Sequence, residues 1–122
     1  MVRGGRFPAR GDIFHLDFHP AAGHEMTGPH YCVVVSPEAY NAVSRMPYVA
    51  PITTAGTQSR MAGMAVNLTG TGLKVSGVVQ CDQVKAVDLE ARRAKPTGEK
   101  VPDDIMDVML ALLAPVLGPE GE

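Results

Sequence analysis

Tyr31-Cys32-Val33-Val34-Val35-Ser36-Pro37 is the stretch on which the fold turns. Five apolar, mostly β-branched residues with no polar alternation suit a strand buried on both faces. Ser36-Pro37 ends it, and Pro37 can open a helical turn through Val43. Upstream, Ile13, Leu16 and Phe18 flank His15 and Asp17 in a second strand, with one face partly buried, that Pro20 ends. Downstream come Tyr48–Ile52, closed by Thr53-Thr54, then Met64–Leu68, the Gly70–Gly72 turn and Ser76–Cys81. Asp82–Val87 continues or bends that last strand, and Pro96 with Gly98 reads as a separator before the tail.

From Pro102 the pattern changes. Ile105, Val108, Met109, Leu112 and Leu113 recur at the helical period, with Pro102 suited to the first helical position and Asp103 and Asp104 near the positive helix end. Several short strands before one helix, with no strand–helix alternation, predict a mainly β (α+β) fold: a small antiparallel barrel carrying a C-terminal helix over 102–116. At 122 residues the chain reads as one domain, 1–122, with residues 1–10 as a mobile arm or short strand.

Charge is uneven along the chain. All 11 Lys and Arg but only 8 of the 13 Asp and Glu lie in residues 1–100, leaving that part at +3 and the rest at −5. A mildly basic body permits phosphate contacts without demanding them. Cys32 and Cys81 have no framework spacing, no leader pattern opens the chain, and the apolar stretch Ile105–Leu117 is too short and too interrupted for a membrane span. The expectation is a cytoplasmic protein with no membrane contact.

All four histidines, His15, His19, His24 and His30, fall within residues 15–30. The compact spacings of a zinc site are missing, so no metal and no cofactor is expected. A covalent hydrolase built from Ser36, Cys32, His30 and Asp82 lacks the Gly-x-Ser-x-Gly elbow, and a thiol inside an apolar strand is usually inert. Gly70-Thr71-Gly72 lacks the rest of a phosphate loop and reads as a hairpin turn. What remains is a polar set at strand ends and in the Ala21–Pro29 loop: His24, Glu25, His30, Thr53, Thr54, Arg60, Gln80, Asp82 and Gln83.

The order of short motifs gives this set a meaning. Arg10-Gly11-Asp12-Ile13, Asp17-Phe18-His19-Pro20 with Gly23-His24-Glu25, Val33-Val34-Val35-Ser36-Pro37 before Tyr40-Asn41, Pro51-Ile52-Thr53, Arg60-Met61-Ala62-Gly63, Gly77-Val78-Val79-Gln80-Cys81-Asp82-Gln83, and Asp88-Leu89 with Ala91-Arg92 follow one another over residues 10–116. In that order they resemble the MazF/PemK (Kid) family of toxin endoribonucleases, the PemK branch more than the MazF branch.

The resemblance implies an SH3-like barrel of the PemK/CcdB type. It also implies a homodimer, metal-independent cleavage of single-stranded RNA at short sequences, and restraint by a cognate antitoxin whose disordered segment wraps the toxin. The reaction it implies is attack by the ribose 2′-OH on the adjacent phosphate, giving 2′,3′-cyclic phosphate and 5′-OH ends. Such a cleavage requires a base, an acid and donors to the phosphate oxygens. By resemblance Asp82 is the base and Thr53 a hydroxyl donor, while His24, Glu25, Arg60, Ser76, Gln83 and Arg92 match positions near the RNA or the site architecture.

Two positions depart from the pattern, with His30 and Gln80 standing where the family has arginines. Gln80 can donate to a phosphate but carries no charge, and a neutral hydrogen bond contributes about 1 kcal/mol against roughly 1.5–3 for a charge-assisted one. His30 offers an imidazole, a better general acid than guanidinium, so it joins Thr53 and Asp82 as a catalytic candidate and Gln80 joins the RNA-contacting set. Loss of cleavage in His30→Ala is the expected signature. Two other readings stay open: a member that binds RNA or antitoxin without cutting, and a CcdB-like poison of a protein target.

Overall fold

The computed structural model describes residues 7–53 and 62–120. In chain order these form β1 (Asp12–Asp17), β2 (Pro29–Val34), α1 (Glu38–Ser44), β3 (Tyr48–Thr53), β4 (Ala65–Asn67), β5 (Val78–Gln80), β6 (Lys85–Ala86), β7 (Lys95–Lys100) and α2 (Asp103–Leu117). Short 3-10 turns cover Ala62–Met64 and Cys81–Gln83. The strands form one antiparallel sheet in the order β4-β5-β3-β2-β1-β7. β3 is shared lengthwise: its start pairs with β6 through Tyr48 and Val49, and its end pairs with β5 through Ile52 and Thr53.

β2 sits mid-sheet because both of its faces are apolar. Val33, with Ile13, Ala50, Ile52 and Val79, faces a core closed by Met106, Met109 and Leu113 of α2. Cys32 and Val34 face a second core with Phe14, Phe18 and Leu89. β1 likewise buries residues on both faces, Ile13 on one and Phe14 on the other, where the sequence pattern predicted burial on one.

Three further sequence expectations are corrected by the structure. Pro96 and Gly98 do not separate elements but lie within β7, the sheet's edge strand. An edge tolerates a proline, which has no N–H for the ladder, and Gly98 takes a φ of +83° that glycine adopts without strain. The α2 stripe differs at one position: Met109 and Leu113 are buried and Ile105 and Leu112 pack against the core as predicted, but Met106 is buried in addition and Val108 is 49% exposed. Pro102 lies just before the helix in extended conformation, so Asp103 is the first helical residue.

Residues 1–6 of the expected arm lie outside the described residues, but Pro8 is buried and its carbonyl accepts a 2.8 Å hydrogen bond from Asn41 Nδ2. Asn41 and Ser36, both buried, form a polar knot with Tyr48 N–H that ties this segment to β2, α1 and β3. The two ends of the strand order are also joined. Glu99 of β7 accepts hydrogen bonds from the backbone N–H groups of Lys74 and Val75 on the β4–β5 connection, at 2.7 and 3.0 Å. Contact between those two ends shows that the sheet is curled, in a mainly β fold with its C-terminal helix. Among the described residues no helix is long and apolar enough to cross a membrane.

Candidate active site

Three of the polar candidates lie on β2, β3 and β5, which run side by side. Tyr31 pairs with Ile52 and Thr53 with Val78, so His30, Thr53 and Gln80 stand on three neighbouring strands. Thr53 and Gln80 are each 5% exposed. The chain reaches this packing through Gly77, whose φ is +122°. A Cβ there would lie 2.3 Å from the Thr53 carbonyl oxygen, so only glycine lets the two backbones approach this closely.

Asp82 lies half-buried in the 3-10 turn that follows β5. That turn has two neighbours. It contributes Asp82 to a groove of about 710 Å³ along α2, whose walls include Tyr48, Cys81, Val84, Leu110 and Leu113. It contributes Gln83 to the β1–β2 loop, where Gln83 Oε1 accepts from Met26 N–H and Gln83 Nε2 donates to the His24 carbonyl, both at 3.0 Å.

The β1–β2 loop has no regular structure, yet it is densely tied. Phe18 N–H donates to the Gly28 carbonyl at 2.9 Å and closes its base. Glu25 folds back on the loop, its carboxylate accepting from Ala22 N–H while its own N–H donates to the Ala22 carbonyl. Arg92 Nη1 donates to the carbonyls of Asp17 and His19, at 2.9 and 3.1 Å. His30 Nε2 meets the Thr27 carbonyl at 2.9 Å, which makes Nε2 the protonated nitrogen, and its ring packs against Phe18.

The structure therefore brings Gln83 and Arg92 to the loop backbone, and leaves His24 and Ser76 exposed at the surface. Arg60 lies outside the described residues. Sequence reasoning passed over Gly77 as more than a motif member. The signal available was a glycine directly preceding a β-rich run, which often marks close backbone approach. The cysteines are chemically quiet: burial pushes the Cys32 thiol up to about 12 and the Cys81 thiol to about 11, the latter also by the charge of Asp82. Neither supplies a thiolate nucleophile near neutral pH. Among the described residues no three His, Cys, Asp or Glu side chains cluster as a metal site.

The family model for PemK-like, MazF-like toxins of type II toxin-antitoxin systems matches residues 9–117. The chain belongs to this toxin family. It is 43% identical to Endoribonuclease PemK of Escherichia coli over 117 residues, covering 96% of this chain and 87% of that protein. To the endoribonuclease toxin MazF of E. coli K12 it is 35% identical over 98 residues, covering 80% and 84%. The greater likeness to PemK agrees with the motif reading.

Among solved structures, the crystal structure of MazF (Form-I) from Deinococcus radiodurans superposes with a TM-score of 0.80 at 33% identity, covering 93% of this chain and 98% of that one. A MazE-MazF structure (Form-III) from the same organism gives 0.73 at 31% identity, covering 91% and 96%. The toxin family thus accounts for the curled sheet, the α2 helix and the ordered motifs together.

Proposed function

We propose that this toxin-family chain is a metal-independent endoribonuclease that cuts single-stranded RNA at specific short sequences. One observation carries the reading: the ladder sets His30, Thr53 and Gln80 on adjacent strands, and the turn bearing Asp82 holds the His24–Met26 loop through Gln83. Those contacts support a site spread over the three strand ends, the Asp82 turn and the loop that Gln83 holds.

In the proposed reaction Asp82 takes the proton of a ribose 2′-OH, and the freed oxygen attacks the adjacent phosphorus. The P–O5′ bond breaks, and the leaving oxygen takes a proton from His30. Because Nε2–H of His30 is held by the Thr27 carbonyl, the transferred proton comes from Nδ1 of the imidazolium. Thr53 and Gln80 donate to the non-bridging oxygens, where charge builds in the transition state. His24, Glu25, Arg60 and Ser76 fall to RNA contacts in this scheme. The products are a 2′,3′-cyclic phosphate and a 5′-OH. A homodimer working in the bacterial cytoplasm, restrained by a cognate antitoxin with a wrapping segment, completes the proposal; the MazE-MazF structure supports the antitoxin.

The test is incubation of the purified protein with a long RNA in EDTA, followed by mapping of the ends. Discrete fragments with 5′-OH ends are expected, and Asp82→Asn should slow cutting by roughly 10²–10⁴-fold, the usual weight of a general base. Protection of RNA without cutting would favour a binding-only member. Intact RNA with damaged DNA in arrested cells would favour a poison of a protein target.

A further inference from the structure

Gln83 resembles an RNA-contacting position by its place in the motif, but its amide is already committed. Its oxygen accepts from Met26 N–H and its nitrogen donates to the His24 carbonyl, both at 3.0 Å and across 57 and 59 residues of sequence. The side chain of Met26 packs against the second core, the one that contains Phe18 and Leu89. One residue is thus anchored twice, by its side chain in the core and by its N–H on Gln83. Glu25 lies between the two bonded points, His24 supplies one of them, and both side chains are exposed. The backbone of the turn carrying Asp82 is continuous with Gln83, so the clasp links the loop's position to that of the carboxylate.

We propose that Gln83 is a positioning residue: its side-chain amide clasps the His24–Met26 backbone to the Cys81–Gln83 turn and sets the loop relative to Asp82, acting through the loop and not by touching RNA. This rests on the ribonuclease reading above. A planar amide offers one donor and one acceptor in the spacing needed by an N–H and a C=O two residues apart. Neither a carboxylate nor an ammonium can make both bonds. A loop without a ladder depends on such contacts for a single geometry, and a displacement of about 1 Å in a positioned group can cost on the order of 10²-fold in rate.

The experiment combines amide hydrogen exchange with cleavage kinetics on the full chain. Gln83→Met keeps the size of the side chain and removes both bonds; Gln83→Glu keeps an acceptor for Met26 N–H and loses the donor to His24. Exchange at the Met26 amide should rise at least about tenfold in Gln83→Met and stay near the parent's in Gln83→Glu. In Gln83→Met, kcat should fall at least about tenfold with KM little changed. The fall should be smaller when Gln83→Met is made in a His24→Ala background, because both changes act through one loop.

Unchanged Met26 exchange in Gln83→Met overturns the clasp. Faster exchange with unchanged kcat overturns the positioning role. A rise confined to KM, additive with His24→Ala, assigns Gln83 to the RNA instead. If the parent protein itself leaves RNA intact, the ribonuclease reading fails and the positioning role falls with it, and the exchange data still report separately on the clasp.

Discussion

The end of β3 and the β1–β2 loop border the same candidate site but are held by different physics. Thr53 lies in a ladder of backbone hydrogen bonds, buried, with Gly77 pressed against its carbonyl. The loop has no ladder, and its path depends on Gln83 and Arg92, side chains that arrive from far along the chain. A ladder is indifferent to most side chains but intolerant of any change in backbone path. A clasped loop is the reverse, tolerant along most of its length and dependent on two residues outside it. The difference teaches that damage to the first half should appear as lost stability, and damage to the second as lost geometry in a protein that remains folded.

Gly77→Ala probes the ladder and carries the largest expected effect. The new Cβ would meet a carbonyl oxygen at 2.3 Å at a φ of +122°, so β5 must move away from β3. A loss of about 3 kcal/mol or more is expected from strain and lost pairing, measured by urea unfolding. A loss below about 1 kcal/mol would show that the strand ends part easily, and the contrast with the loop would dissolve.

Arg92→Met probes the loop. The bonds to Asp17 and His19 are charge-assisted but exposed, and solvent screening reduces their contribution to global stability to about 1–2 kcal/mol. Exchange of the Phe18 amide, which closes the loop base on Gly28, should nevertheless quicken as that base loosens. Unchanged exchange together with weaker RNA binding would instead place the guanidinium on phosphate, and the loop would need another account of its shape.

The smallest effect belongs to Glu99, a clasp of the second kind between β7 and the β4–β5 connection. The backbone N–H groups of Lys74 and Val75 hold its carboxyl below its ordinary value of 4.5. Its folded pKa being depressed, its stabilisation is present above that value and fades as pH falls through the lower folded one. Glu99→Gln should be less stable than the parent near neutral pH, with the difference closing in acid. A gap that persists unchanged into strong acid would show that the carboxylate charge plays no part in closing the sheet.

Much of the fold was legible because its elements declare themselves locally. The Tyr31–Val35 run could bury both faces only in mid-sheet, and that is where β2 lies. Strand β7 was not legible, since Lys95–Lys100 exposes most of its side chains and contains the two residues that usually end strands. An edge strand needs neither alternation nor a full set of N–H donors. The place of Met106 in the α2 stripe has a related cause: period alone does not say which of several apolar residues on neighbouring positions meets the sheet, and here Met106 does while Val108 does not.

For the site, residue types and motif order brought His24, Glu25, His30, Thr53, Gln80, Asp82, Gln83 and Arg92 into view, because chemistry and family order are written in one dimension. Division of labour among them is not. Gln83 and Arg92 carry the same groups whether they bind phosphate or backbone carbonyls, and only the folded chain puts His24 and Met26 beside one and Asp17 and His19 beside the other. The sequence by itself determined the strand core, the terminal helix, the quiet cysteines and the toxin family, all of which follow from local pattern and composition. Tertiary structure alone decided which polar groups are free for a ligand and which are spent on the protein, because a hydrogen bond spanning more than fifty residues leaves no trace in the spacing of either partner.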